Sequence, residues 1–185
     1  YATPQFEQNG LQQLQEIIAQ NYNHPSVVMW GIFSRLWTRG NDVTPYLGKL
    51  NAAAHALDPS RPTVACSDQD GNINFITDLI VWRQDVGWRK GTTDDVTVWR
   101  DQLQKGWSHL RSGICYGGSG FIGHKSYTAQ AAPRANWMPE ERQTHFHEQY
   151  AKNLQNDSLF WGTWINNMFD YGSVRRPYGV NGAGL

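Results

Sequence analysis

Several features that would point to particular protein classes are scarce in this sequence. It has two cysteines, Cys66 and Cys115, which are too few for a disulfide framework or, by themselves, for a zinc site. Neither sign of charge dominates, because 16 basic residues balance 16 acidic ones, whereas a nucleic-acid-binding surface is normally basic. No apolar run reaches the roughly 18 residues of a membrane-spanning helix. We therefore expect no nucleic-acid partner, no membrane partner, no metal and no other cofactor.

The first residues give no sign of a targeting segment. They are polar, and the first is Tyr1 rather than methionine, so we expect no signal peptide. We interpret the chain as a processed product or a piece of something longer. Its 185 residues suit one domain with a substantial core, and we predict a single domain over residues 1–185.

Tryptophan is abundant, with nine residues in the chain. Aromatic rings offer apolar faces on which sugars can stack, although a single tryptophan more often serves core packing. The tryptophan content alone therefore supports a sugar-binding role only weakly.

Apolar runs alternate with amphipathic segments along the chain, and this alternation predicts parallel βα units. Helical spacing of apolar residues predicts a helix over 9–21, and proline or acidic residues mark further helix starts near residues 44, 93 and 139. We predict an α/β fold with five parallel strands, at residues 27–33, 63–66, 79–82, 113–116 and 159–165. Residues 166–185 are predicted to be loop.

The stretch from Asn23 to Trp37 is the most informative part of the sequence. His24-Pro25 ends the first helix, because the residue before a proline avoids the helical region. The seven positions 27–33 are all apolar or glycine, which is typical of a strand buried on both faces. At the end of this strand the chain changes abruptly to Ser34-Arg35.

This stretch resembles the acid/base segment of family 2 glycoside hydrolases of the β-galactosidase type, in which a similar strand ends in Asn-Glu. Other segments resemble the same family in the same order: residues 58–63, 75–80 with 86–88, 113–117, and 160–164 with 167–171. The resemblance implies that the chain is the C-terminal portion of a catalytic (βα)8 TIM barrel, containing barrel strands four to eight.

The resemblance also implies that both catalytic glutamates are replaced. A retaining glycosidase uses two carboxylates about 5–5.5 Å apart, yet Arg35 stands in the acid/base position and Cys115 in the nucleophile position. An arginine does not release a proton near neutral pH. A cysteine can attack as a thiolate, although a buried cysteine is more often a packing residue. We therefore expect the chain to be a pseudoenzyme that does not hydrolyse glycosides by the family's retaining mechanism.

Other residues near the strand ends complete the candidate site. Asp85 follows the third predicted strand and is a third candidate catalytic residue. Residues expected to contact a sugar are Ser34, Asp68, Arg83, Tyr116, His124, Trp164 and Asn166. The expected partner is thus a small sugar or a β-galactoside.

Three other functions stay open. The chain could be an active hydrolase whose carboxylates have moved to Asp68, Asp70, Asp85 or Asp170, all of which follow predicted strands. It could also be a non-catalytic sugar-binding module, or a scaffold without a ligand. A metal site at His145 and His147 is disfavoured, because residues two apart on a helix point to different faces.

Five strands do not satisfy the closure geometry of an eight-stranded barrel, and unpaired strand edges invite association. We therefore expect a homo-oligomer, or the remainder of a larger chain, to cover the open wall.

Overall fold

A computed structural model describes residues 3–38, 40–88, 90–128, 137–176 and 179–184. Four helices are present in these ranges: α1 (Pro4–Asn21), α2 (Thr44–Leu57), α3 (Asp95–Trp107) and α4 (Glu140–Leu154). The longer strands are β1 (Trp30–Ser34), β2 (Thr63–Ser67), β3 (Leu79–Gln84), β4 (Ser112–Tyr116) and β5 (Phe160–Ile165). Within the described residues, no helix has both the length and the apolar character needed to cross a membrane.

The five longer strands form one parallel sheet in the order β1-β2-β3-β4-β5. In the register of the first three strands, Ser34 lies opposite Cys66, and Cys66 lies opposite Val81. Strand order therefore follows chain order, as it does when βα units are laid side by side. The predicted fold class, an incomplete (βα)8 barrel with about five parallel strands, is confirmed.

The chain divides into two compact units. Unit 1 comprises Tyr1–Arg83 and His109–Gly113, and unit 2 comprises Gln84–Ser108 and Ile114–Leu185. The expectation of a single domain over residues 1–185 stays a prediction.

Unit 1 has a core between helices and strands and a buried charge at its edge. Leu14 and Ile18 of α1, with Leu47, Leu50 and Ala54 of α2, are the buried helical positions. Helix α2 ends at Leu57 and is followed by Asp58 as its C-cap. The Asp58 carboxylate accepts hydrogen bonds from Trp30 Nε1 at 3.0 Å and from Arg61 Nη1 at 2.6 Å. A hydrogen bond from Ser60, assisted by those from Arg61 and Trp30 and opposed by desolvation, lowers the pKa of Asp58.

Unit 2 has an aromatic core between β4 and the helices α3 and α4. Its buried members are Val96, Ile114, Tyr116, Phe146, Tyr150 and Leu154. Three polar side chains of α4 also hold the loop that follows β3. Tyr150 donates to the carbonyl of Val86 at 2.6 Å, Arg142 to that of Trp88 at 3.0 Å and Asn153 to that of Thr93 at 3.2 Å.

The prediction of a strand over 27–33, buried on both faces, is wrong in two respects. The ladder begins only where Trp30 N donates to Pro62 O at 3.0 Å, because the carbonyl of Val27 accepts from Arg61 Nε at 2.7 Å instead of from a strand. Val28 is 61% exposed. Gly31 and Ser34 are also exposed.

Several predicted boundaries also shift. Helix α1 begins at Pro4 rather than residue 9, with Thr3 as its N-cap. Helix α2 begins at Thr44, near the predicted start, and its N-cap position is Val43. Strand β3 extends two residues further and includes Arg83. The segment 166–185 is not all loop, because the short strands β6 (Tyr171–Gly172) and β7 (Val180–Asn181) pair antiparallel there.

Candidate functional site

The candidate site residues fall into two groups, one in each compact unit. Unit 1 holds Ser34, Arg35, Asp68 and Arg83, and unit 2 holds Asp85, Cys115, Tyr116, His124, Trp164 and Asn166. Each group is described within its own unit.

Arg35 is held firmly at the end of β1. Its backbone N–H donates to Cys66 O at 2.9 Å, which extends the ladder by one residue past the strand. Its φ angle is +47°, a left-handed conformation that a residue with a side chain adopts only under constraint from its surroundings. The side chain forms an ion pair with Asp68, with 3.0 Å between Nε of Arg35 and Oδ2 of Asp68.

Asp68 reaches Arg35 because β2 ends one residue before it. The hydroxyl of Ser67, the last residue of β2, accepts from Gln69 N at 3.2 Å and so closes a tight turn around Asp68. The side-chain amide of Gln69 donates to the carbonyl of Leu36. The loops after β1 and β2 are thus tied together by an ion pair and a hydrogen bond.

An open cavity of about 590 Å³ lies at these two loops. Its lining residues are Arg35, Leu36, Trp37, Thr38, Asp68 and Gln69. Trp37 is 70% exposed and was not among the site residues expected from the sequence. The sequence signal that could have indicated Trp37 was an aromatic residue in an otherwise polar loop just after a strand.

Ser34 and Arg83 are less clearly placed for binding. Ser34 is the exposed last residue of β1, whereas Arg83 lies half-buried within β3. Their predicted contacts with a sugar stay predictions.

In unit 2, Cys115 and Asn166 meet although they are 51 residues apart in the sequence. The thiol Sγ of Cys115 lies 3.2 Å from Asn166 Oδ1, and Asn166 N donates to Tyr116 O at 2.9 Å. Cys115 is 9% exposed. A buried thiol that donates to an amide oxygen suits a packing role at least as well as a nucleophilic one.

The aromatic and imidazole candidates of unit 2 have different environments. Tyr116 packs in the core with its ring centroid 4.6 Å from that of Tyr150, and burial raises the pKa of its hydroxyl. Trp164 is half-buried, with its ring centroid 4.5 Å from that of Trp161. His124 Nδ1 accepts from Met138 N at 3.1 Å.

Two carboxylates of unit 2 follow strands as expected. Asp85 comes directly after β3 and is half-buried. Burial, with the negative charge of Asp85, raises the pKa of the Tyr150 hydroxyl well above its usual range. Asp170 is exposed, and its Oδ1 accepts from Gly184 N at 2.8 Å.

In the described parts of the chain, no group of three or more His, Cys, Asp or Glu side chains is arranged to hold a metal ion. Of the histidine pair on α4, His147 has both ring nitrogens buried without a hydrogen-bond partner, and desolvation lowers its pKa.

The two groups offer different chemistry. Around Arg35 a guanidinium and a carboxylate share an open cavity with an indole ring, which suits the binding of a polar ligand. Since the guanidinium keeps its proton near neutral pH, Arg35 cannot act as a general acid there. Around Cys115 there is a buried thiol beside an amide.

Comparison with known proteins gives a consistent result. The family model for glycosyl hydrolases family 2, TIM barrel domain, matches residues 2–185. A beta-glucuronidase of Bacteroides fragilis is 39% identical over 97% of the chain. A beta-galactosidase of Thermoanaerobacterium thermosulfurigenes is 33% identical over 36% of the chain and 8% of its own length.

Solved structures agree with this assignment. An FMN-binding beta-glucuronidase of Faecalibacterium prausnitzii L2-6 superposes with a TM-score of 0.86 at 29% identity, over 97% of this chain and 29% of that protein. A putative beta-galactosidase of Bacteroides fragilis superposes with a TM-score of 0.87 at 25% identity, over 97% of this chain and 28% of that protein. The chain thus spans only about a quarter of these relatives' lengths, 27% in the case of the B. fragilis beta-glucuronidase.

Proposed function

Because this chain belongs to glycosyl hydrolase family 2, in its TIM barrel domain, we propose that it binds a β-glycoside at its strand ends without hydrolysing it by the two-glutamate mechanism. The glycoside would be of the β-galactoside or β-glucuronide type, as the names of its relatives suggest. The remainder of a larger chain, or a second copy, would complete the barrel wall.

The ion pair between Arg35 and Asp68 is the observation that carries this proposal. Arg35 stands at the position expected for the acid/base glutamate, and its guanidinium is bonded to a carboxylate 3.0 Å away. Proton donation by a positioned acid contributes roughly 10²–10⁴-fold to rate, and this arginine does not supply it. Its positive charge also opposes the oxocarbenium-like transition state of glycoside hydrolysis.

Cys115 adds a second argument. It stands at the expected nucleophile position, but its thiol is buried and contacts the Asn166 amide. A buried thiol that donates to an amide oxygen is typical of a packing residue. This contact supports the proposal that the covalent step of the retaining mechanism does not take place at Cys115.

A mechanism-based label tests the proposal directly. The purified protein is incubated with 2-fluoro β-galactosyl and 2-fluoro β-glucuronyl fluorides, and its peptides are mapped by mass spectrometry. We expect no covalent adduct, no release of nitrophenol from the corresponding nitrophenyl glycosides, and measurable binding of galactose or glucuronic acid in a titration.

Each alternative function has its own outcome in this experiment. A stoichiometric adduct on Asp68, Asp85, Asp170 or Cys115, together with turnover, would establish an active hydrolase with relocated groups. No adduct, no turnover and no sugar binding would leave a scaffold and contradict the proposed glycoside binding.

A further inference from the structure

Residues 120–126, the latch loop, follow β4 and are bonded at several points to the start of α4. We propose that the side chain of His124 keeps this loop closed on α4 while its imidazole is neutral, and releases it when the imidazole takes up a proton. The inference goes beyond the proposed glycoside binding and does not rest on it, because it concerns the order of a loop and not what the site binds.

His124 supplies two hydrogen-bond acceptors to the segment that begins α4. Its side-chain Nδ1 accepts from Met138 N at 3.1 Å, and its backbone carbonyl accepts from Glu140 N at 2.9 Å. The N-cap position of α4 is Pro139, whose side chain makes no capping hydrogen bond. Because the first N–H groups of a helix have no acceptor within the helix, His124 provides from outside what the cap residue does not.

The contact between Nδ1 and Met138 N requires a neutral imidazole. An imidazole nitrogen accepts a hydrogen bond only while it carries no proton, whereas both nitrogens of an imidazolium are donors. Protonation of His124 therefore sets two N–H donors against each other across 3.1 Å. It also places a positive charge beside the N-terminus of α4, where the helix dipole is already positive. Histidine is the side chain that ordinarily changes charge between pH 5 and pH 8, and the experiment below spans this range.

The charged groups around His124 include two carboxylates of α4 and one ammonium group of the latch loop. Glu140 accepts from Lys125 Nζ and, at 2.6 Å, from a backbone N–H of the loop, and Glu141 accepts from Ser126 N at 2.9 Å. Since both carboxylates already have partners, they compensate an imidazolium only in part. The hydrogen bond from Lys125 is the main cause that lowers the pKa of Glu140, so this carboxylate stays charged while His124 titrates.

Other contacts of the latch loop do not depend on the proton. Gly120 N donates to Gly182 O at 2.7 Å, and Phe121 is buried with its ring centroid 5.4 Å from that of His124. Release at His124 should therefore loosen the outer part of the loop while its first residues stay anchored. Gly120 and Ile122 line a cavity of about 450 Å³ together with residues of α4, so the loosened loop widens the entrance to this cavity.

Hydrogen–deuterium exchange of the purified protein at pH 8 and pH 5.5, read by mass spectrometry, tests the latch. After correction for the intrinsic pH dependence of amide exchange, we expect opening of residues 120–126 and 137–142 to increase about fivefold at pH 5.5. This is the effect on an equilibrium constant of losing one hydrogen bond of typical net strength. Peptides from α3 report the stability of unit 2 as a whole, so the increase in the latch loop must exceed theirs.

Three variants assign the pH response to one side chain. His124→Asn keeps an acceptor oxygen near the position of Nδ1 but takes up no proton, so the loop should stay closed at both pH values. His124→Ala removes the acceptor, and at pH 8 its loop should exchange about as fast as that of the unmodified protein at pH 5.5. His145→Asn is the matched control, since it removes another half-buried histidine of α4, beside a different cavity, and should leave the pH response intact.

Each other outcome overturns the latch. Equal exchange of the loop at the two pH values would show that the proton does not release it. An increase of the same size in the α3 peptides would assign the change to unit 2 as a whole, and a pH response that survives in His124→Asn would assign it to another group. None of these results bears on the proposed glycoside binding, which the covalent label and the sugar titration test separately.

Discussion

Asp58 is a single residue on which much of the local structure of unit 1 depends. It is fully buried and receives hydrogen bonds from Trp30, Ser60 and Arg61. Arg61 in turn donates to the carbonyls of Tyr22 and Val27, so that the segment entering β1 is bound to the segment leaving α2. The start of β1, and hence the placement of Arg35 at its end, follows from this buried charge.

Trp30→Phe tests the contribution of one of these donors. The change keeps an aromatic ring but removes the N–H that donates to Asp58 Oδ2 at 3.0 Å. Because a buried acceptor then loses a partner, we expect the free energy of unfolding to fall by about 1–3 kcal/mol, measured by urea denaturation followed by circular dichroism. The control Trp37→Phe, at a position 70% exposed, should change it by no more than about 0.5 kcal/mol. Equal losses in the two variants would contradict the importance of this hydrogen bond.

Helix α4 shows how one element can position a loop. Arg142, Phe146, Tyr150 and Asn153 recur at intervals of three or four, so they share one face of the helix. That face packs an aromatic core and also binds the carbonyls of the loop after β3. The loop contains Asp85, and its conformation therefore depends on α4 as well as on its own glycines.

We expect His147 of α4 to make the stability of the protein dependent on pH. Its ring nitrogens are buried without partners, and desolvation lowers its pKa from the ordinary value of 6.5. As the pH falls through about 6.5, the unfolded chain takes up a proton that the folded chain resists, so stability decreases. Above that pH both states are neutral at this residue, and the effect disappears.

His147→Phe should therefore reduce the acid sensitivity of folding. We expect the loss of Tm between pH 8 and pH 5 to be smaller in the variant by about 2 °C or more, since one kcal/mol shifts Tm by roughly 2–4 °C in a protein of this size. Differential scanning calorimetry at the two pH values provides the measurement, and the pH 8 values isolate the packing effect of the substitution. An unchanged pH dependence would show that His147 titrates alike in both states.

At the scale of the whole molecule, the sheet has β1 and β5 as its first and last strands. Large apolar side chains lie exposed on or just after β5, including Trp161, Ile165, Met168 and Phe169. Exposed strand edges and apolar surfaces of this kind favour association. The predicted cover, a second copy or the remainder of a larger chain, stays a prediction. It is supported by the length of the Bacteroides fragilis beta-glucuronidase, of which this chain covers only 27%.

Light scattering of the isolated chain tests the need for such a cover. We expect species larger than the 21.1 kDa monomer, and we expect Ile165→Lys to shift the population toward the monomer by placing a charge on β5. Val98→Lys, at a position 54% exposed on α3, is the control and should leave the distribution unchanged. A cooperatively folded, monodisperse monomer of the unmodified chain would refute the prediction.

The sequence by itself determined the elements and much of what stands at their ends. Local patterns are properties of neighbouring residues, and they were sufficient for the alternation of strands with helices and for helix starts near residues 44, 93 and 139. Family motifs were sufficient to recognise the family and its barrel fold, whereas the replacement of the two catalytic glutamates by Arg35 and Cys115 stays a prediction.

Only the tertiary structure decided which distant residues meet. Arg35 bonds Asp68 across 33 positions, Cys115 meets Asn166 across 51, and Trp30 bonds Asp58 across 28, and no local pattern encodes such pairs. Local pattern also fails at Val27. This residue is apolar enough for a strand, but its carbonyl accepts a hydrogen bond from Arg61. Backbone groups pair with whatever donor the fold brings near, and for this reason the true start of β1 and the cavity around Trp37 became visible only in three dimensions.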